Sequence, residues 1–181
     1  MRHAASRVAV LQFRKANAVP AHYNVLFLCT GNSARSILAQ AILNHRARGG
    51  FTAHSAGSHP SGTPRPEALK QLESAGISTD GLRSKSWDEF AAPDAPRMDF
   101  VFTVCDNAAN EVCPFWPGQP MTAHWGIADP AAVTGSPDEI ERAFRDAFIV
   151  LDRRIGLFLS LPLTTLQQIA IQREIESIGR S

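Results

Sequence analysis

Asn24-Val-Leu-Phe-Leu-Cys29-Thr-Gly-Asn-Ser-Ala-Arg35-Ser36 is the stretch on which the fold of this chain turns. Residues 25–29 form an unbroken apolar run, as expected of a strand covered on both faces of a parallel sheet. Small and polar residues follow. From Ser36 the spacing turns helical, with Ile37, Leu38, Ala41 and Ile42 on one face as far as Arg48 and Gly49-Gly50 as the stop. Strand, loop and helix in that order put a cysteine at a strand end and an arginine at a helix start, six positions apart. Gly31 permits a tight turn. The amides of Thr30, Gly31, Asn32, Ser33, Ala34 and Arg35 can then face one centre as an anion-binding nest. The helix turns its positive end to the same point, and Arg35 adds a planar, permanently charged fork. The same field is expected to hold the Cys29 thiol well below its free value of about 8.5, helped by the Ser36 hydroxyl. Asn32 and Ser55 are candidates for holding the loop in shape, and Asn32 suits a left-handed turn equally well. The chemistry this predicts is thiolate attack on a tetrahedral oxyanion.

The rest of the chain repeats the alternation. Residues 51–56 read as a second strand, and residues 67–74 as a helix with Pro66 near its start and Gly76 at its close. Residues 77–96 read as a polar loop region with a short helix at 87–90. Residues 99–105 are a third buried strand that again ends on a cysteine, and 121–125 a fourth. Ser136-Pro-Asp-Glu139 is a capping box with proline at the first helical position. Ile140, Phe144, Phe148, Leu151, Ile155 and Phe158 continue it as a long core-facing stripe. Residues 163–178 read as a further, more exposed helix. The fold class is therefore α/β with a parallel sheet and right-handed crossovers. Ligands in such sheets bind beyond the carboxyl ends of the strands, so Cys29 and Cys105 share one rim.

Bulk properties bound the function. The chain has 181 residues, enough for one domain with a sizeable core, and its net charge of +1 implies no nucleic-acid partner. No apolar stretch approaches the ~20 residues of a membrane span, so no membrane partner is expected. The three cysteines, Cys29, Cys105 and Cys113, are too few and too odd in number for a secreted disulfide scaffold, which points to a reducing cytoplasm. Residues 1–22 carry Arg2, Arg7, Arg14 and Lys15 and no acid, a composition shared by transit peptides and by plain basic extensions. The division expected is a basic extension over 1–22, a catalytic domain over 23–161 and a helical tail over 162–181. No bound metal or cofactor is expected.

His124-Trp-Gly-Ile-Ala-Asp129-Pro130 follows the fourth strand. Expelling an oxygen from an oxyanion needs a proton donor, and Asp129 is the candidate general acid. Asp-Pro is also an ordinary turn pair. Cys-Thr-Gly-Asn-Ser-Ala-Arg-Ser after a strand, with Asp-Pro far downstream, resembles the low-molecular-weight tyrosine phosphatase fold, and more closely the arsenate reductases that share it. The likeness runs from about Asn24 to Leu161 and includes His54-Ser-Ala-Gly57 and Phe102-Thr-Val-Cys105. It implies a three-layer sandwich with a four-stranded parallel sheet between helices. It also implies Cys29 as nucleophile, Arg35 as oxyanion clamp, Ser36 as thiolate stabiliser and Asp129 as acid.

The other cysteines separate the two branches of that resemblance. A phosphatase needs Cys29 alone, because water resolves its covalent intermediate. A reductase must deliver two electrons to arsenic, and Cys105 matches the resolving thiol, with Cys113 carrying the disulfide outward by a second exchange. If residues 105–113 were one regular helix, its ends would lie about 12 Å apart. A disulfide needs Cα atoms roughly 4.4–6.8 Å apart. The polar run after Cys105, with Pro114 beyond it, is accordingly expected to be a poor helix and a movable element. The sequence departs from its relatives in places: Ala34 stands where many carry another cysteine, and Gln40 where some have a glutamate associated with a monovalent cation. No aromatic residue follows Asp129-Pro130, which favours a small inorganic substrate. The resemblance implies an enzyme that acts on arsenate, with phosphate or sulfate as analogues, and is regenerated by thioredoxin or by glutaredoxin and glutathione; a monomer is expected. The alternatives are a phosphomonoesterase and, without turnover, an oxyanion- or redox-responsive regulatory module.

Overall fold

Four parallel strands form the sheet, with the unbroken apolar run of residues 25–29 at its centre. In the computed structural model, residues 22–110, 116–164 and 168–181 are described, apart from the side chains of 109 and 110. The strands are β1 (Tyr23–Cys29), β2 (Phe51–Gly57), β3 (Phe100–Thr103) and β4 (Met121–His124), in the spatial order β2-β1-β3-β4. The helices are α1 (Arg35–Arg46), α2 (Pro66–Ser74), α3 (Asp88–Ala91), α4 (Asp106–Asn110), α5 (Pro137–Leu159) and α6 (Gln168–Ile178). β1 is central, hydrogen-bonded to β2 from Tyr23↔Phe51 to Cys29↔Gly57 and to β3 from Val25↔Phe100 to Leu28↔Thr103. The strand order reverses at β1, which opens a crevice between the carboxyl ends of β1 and β3.

Alternation along β1 divides the core in two. Val25, Phe27 and Cys29 face a large cluster shared with α1, α2, α5 and α6. Leu26 and Leu28 face a smaller one built from Ala56, Phe90, Met98, Val101 and Trp116. The large cluster centres on aromatic rings: Phe102 stacks on Trp125 at 4.1 Å, and Phe158 of α5 meets Phe100, Phe102 and Trp125 edge-on. The stripe on α5 is thus a packing face, as its spacing predicts. The capping box at its start is also formed, with the Ser136 hydroxyl accepting from the Glu139 amide and the Glu139 carboxylate from the Ser136 amide.

The structure corrects three expectations. β3 stops at Thr103, so Cys105 lies beyond the strand, just before α4. The residues after Cys105 do form a helical turn, Asp106–Asn110; Cys113 lies outside the described residues. α6 is less exposed than its sequence suggests: Ile171, Ile175 and Ile178 are buried in the main core, and the Trp125 indole N–H donates to the Ile175 carbonyl at 2.9 Å. That docking ties the end of the chain to the segment that carries Asp129.

Candidate active site

The loop between β1 and α1 is held from outside. His59 N–H donates to the Thr30 carbonyl, Ser61 N–H and the Ser84 hydroxyl to that of Gly31, and Arg65 N–H to that of Ser33, at 2.8–3.2 Å. The loop's carbonyls are thus engaged by the segments that follow β2. The left-handed residue is Asn32, at φ 43°, and not Gly31, whose added Cβ would make only an ordinary 3.6 Å contact. Both readings of Asn32 therefore hold. Its backbone makes the turn, and its side chain accepts from the Lys85 amide at 2.8 Å and donates to Ser36 Oγ at 2.9 Å.

That arrangement has a direction. Because Ser36 Oγ accepts from Asn32, its own hydrogen is available to Cys29 Sγ, 2.9 Å away. The Asn32 amide donates to the same sulfur at 3.1 Å. Even so, the Cys29 thiol lies above its ordinary value, the reverse of the sequence expectation. Burial is the main cause; Ser36 and the Asn32 amide pull the other way, and the neighbouring Cys105 adds a further push upward. Arg35 is engaged elsewhere. Its Nη1 donates to the Ile127 carbonyl at 3.2 Å and its Nη2 to Asp129 Oδ2 at 2.8 Å.

Asp129 combines a turn cap and an ion pair in one geometry. Oδ1 accepts from the Ala131 amide and caps the short 3₁₀ turn Pro130–Ala132, while Oδ2 faces Arg35. Arg35, Cys105, Ile127 and Asp129 line one cavity of about 350 Å³ over the crevice. Cys105 is a buried free thiol, with Thr30 Oγ1 at 3.7 Å and the Ala108 amide at 3.4 Å from its sulfur. Ser55 is buried as well, but its hydroxyl donates to Gln40 Oε1 of α1 at 2.6 Å and not to the loop. Among the described residues, no group of three or more His, Cys, Asp or Glu side chains gathers as metal ligands would.

A buried thiol that accepts from the Asn32 amide beside the Ser36 hydroxyl, next to a loop whose arginine shares a cavity with a carboxyl and a second thiol, is equipped for displacement at a tetrahedral oxyanion. The sequence model of the low molecular weight phosphotyrosine protein phosphatase family matches residues 24–170. The chain belongs to this family. Among its relatives in that phosphatase family, the arsenate reductase of Halalkalibacterium halodurans is 34% identical over 134 residues, covering 74% of this chain and 93% of that protein. A solved structure of an arsenate reductase in the phosphate-binding state superposes with a TM-score of 0.62 at 25% identity, covering 76% of this chain and 97% of the other. A thioredoxin-dependent arsenate reductase from Corynebacterium glutamicum gives 0.51 at 26% identity, covering 75% of this chain and 63% of the other.

Three contributors to the phosphatase-like site escape a reading of the sequence. Gly57 closes β2 against the loop, where an added Cβ would run into the Thr30 carbonyl and come within 3.0 Å of the Asn32 backbone nitrogen. Lys85 acts on Asn32 through its backbone. Arg154 of α5 donates to the carbonyls of Trp125 and Gly126 at 2.9 and 3.2 Å and so anchors the start of the acid-bearing segment. Only Gly57, at the end of an apolar run, carries a local signal; the other two depend on tertiary register.

Proposed function

We propose that this chain reduces arsenate to arsenite with thiol electrons. One observation carries the reading most directly: a second free thiol, Cys105, lines the cavity that also holds Arg35 and Asp129. Hydrolysis gives that thiol no task, and relatives that match most of the chain bear the name arsenate reductase.

Arsenate enters with its oxygens on the amides of residues 30–35, and Arg35 swings from Asp129 onto it. The thiol proton of Cys29 passes to the dianionic substrate, so thiol plus dianion becomes thiolate plus monoanion with no change in total charge. Asp129, parted from Arg35, takes up a proton from solvent; Sγ then attacks arsenic, and one oxygen leaves as water with that proton from Asp129. Arsenic is still pentavalent in this adduct. Cys105 gives its proton to the Asp129 carboxylate and its sulfur attacks Cys29 Sγ, a disulfide forms, and the broken sulfur–arsenic bond leaves its electron pair on arsenic, which departs as arsenite. Cys113 then attacks Cys105 and frees Cys29, and an external dithiol reduces the remaining disulfide. The thioredoxin dependence of the C. glutamicum relative supports thioredoxin as that reductant, with glutaredoxin and glutathione as the other candidate. A reducing cytoplasm and a monomeric enzyme fit this chemistry.

The test is arsenate-dependent NADPH oxidation with thioredoxin and glutaredoxin systems supplied separately. One of them should support turnover, and Cys105→Ser should abolish it. Full turnover by Cys105→Ser would defeat the relay. The family favours a second reading, phosphomonoester hydrolysis, which Cys29, Arg35 and Asp129 could perform alone. It predicts aryl-phosphate hydrolysis that is indifferent to Cys105 and Cys113 and no arsenate-dependent consumption of reductant.

A further inference from the structure

The side chains that fasten the Cys105 segment to the sheet have no place in the chemistry above. Thr103 ends β3, His124 ends β4 beside it in register, and Asp106 opens α4 immediately after Cys105. The His124 ring spans all three: Nδ1 lies 2.9 Å from Thr103 Oγ1 and Nε2 2.9 Å from Asp106 Oδ1. A carboxylate can only accept, so Nε2 carries the hydrogen and donates to Asp106, while Nδ1 pairs with the Thr103 hydroxyl. Gly126 supplies a second, independent observation. A Cβ there would fall 2.5 Å from Asp106 Oδ1 and 2.8 Å from His124 Cε1, and would collide with Nε2 itself. The His124–Asp106 pair thus sits down on bare backbone, and Asp106 and Gly126 border the cavity that holds Cys105.

We propose that the His124–Asp106 bridge is a positioning latch for Cys105. It fixes the first turn of α4 so that the second thiol stays beside Thr30 while it attacks Cys29, and it releases when the segment must carry the disulfide away. The proposal rests on the arsenate-reduction reading. Cys105 needs such help because the contacts to its own sulfur are weak ones, at 3.4 and 3.7 Å. The latch suits reversal, since the His124 and Asp106 side chains are 45% and 85% exposed and exposed pairs are readily broken. Neither residue forms or breaks a covalent bond in this scheme. The step they serve forms the Cys29–Cys105 bond and breaks the Cys29–arsenic bond, with that bond's electron pair reducing arsenic.

The experiment isolates this step in a Cys113→Ser background, by single-turnover formation of the Cys29–Cys105 disulfide and release of arsenite after arsenate is mixed with reduced protein. The control is protection of Cys29 from iodoacetamide by inorganic phosphate, which reports the oxyanion site without Cys105. Asp106→Ala and His124→Phe should slow disulfide formation by about tenfold or more while leaving phosphate protection unchanged. Asp106→Asn, which keeps an oxygen for the Nε2 hydrogen, should restore the rate. Gly126→Ala, which displaces the pair while keeping both partners, should behave like their loss. Disulfide formation at the parental rate in Asp106→Ala would overturn the latch, as would a parallel loss of phosphate protection, which would mark a general structural role. If the parent forms no disulfide with arsenate, the arsenate-reduction reading fails and the latch with it.

Discussion

Arg35 and Asp129 occupy each other: guanidinium Nη2 lies 2.8 Å from the carboxylate, with the two side chains 14% and 40% exposed. The proposed clamp for the oxyanion and the proposed donor for its leaving oxygen are therefore paired in this arrangement, and a substrate must separate them to be held by Arg35. Asp129→Asn removes the proton donor together with the negative charge that engages the guanidinium. Turnover of arsenate should fall by about 10²–10⁴-fold. Inhibition by inorganic phosphate should be at least as tight as in the parent. The two effects move in opposite directions, so initial rates with phosphate as competitor distinguish this account from simple damage to the site.

The burial that lifts the Cys29 thiol outweighs the hydrogen bonds from Ser36 and Asn32. The rate of Cys29 alkylation by iodoacetamide should therefore rise with pH along a curve centred above the ordinary thiol range. Ser36→Ala removes the leading downward influence and should move that curve to still higher pH. The linkage follows in sign. A folded-state value raised above the unfolded one means that the native state holds its proton longer. The associated stability is fully present below the unfolded thiol value and is lost as pH rises through the folded one. Peptide-resolved alkylation and denaturant melts across this range check both statements.

Gly57→Ala tests whether the anion loop depends on its contact with the end of β2. The added methyl would meet the Thr30 carbonyl and crowd Asn32, so the loop must shift to admit it. Displacement of this kind typically lowers turnover by about 10²-fold. Phosphate protection of Cys29 should fall with it, whereas the sheet, whose pairing does not use that Cβ, should keep its far-ultraviolet signature. Wild-type kinetics in Gly57→Ala would show that the loop tolerates the shift.

What the sequence disclosed is local. Residues 24–36 announce strand, loop and helix because burial on both faces, small loop residues and helical spacing are all written in neighbouring positions. Ser136 and Glu139 likewise declare a helix start within four residues. Asp129 can be found because it sits in a turn after a strand, although its ion pair with Arg35 spans 94 positions and leaves no local trace. Lys85 reaches Asn32 through a backbone amide, and no side-chain pattern could reveal that. The direction of the Cys29 shift was misread for a related reason. The amides and the hydroxyl are visible in the sequence, but the extent of burial, and the partner that Arg35 chooses, belong to the packed molecule. α6 reads as exposed because its own periodicity cannot show that Trp125 and β4 await it.

Lys85 offers a test that leaves the chemistry intact. Its side chain is mostly buried, with Nζ donating to the Arg83 carbonyl at 3.1 Å, and burial, reinforced by the charge of Arg83, lowers its value to about 8. His54 is likewise held down by burial and by the charge of Lys85. A folded-state value below the unfolded 10.5 means that the unfolded chain binds the proton more strongly. The buried ammonium therefore destabilises the fold fully below pH 8, and the penalty fades as pH rises toward 10.5. Lys85→Met fills the same space without the charge. It should be more stable than the parent at pH 7, by an amount on the order of 1 kcal/mol or more, and the difference should shrink steadily through the alkaline range. Because the Asn32 contact uses the backbone amide, arsenate turnover should survive the substitution. Denaturant midpoints at several pH values check the prediction; a stability difference that does not vary with pH would remove the buried charge as its cause.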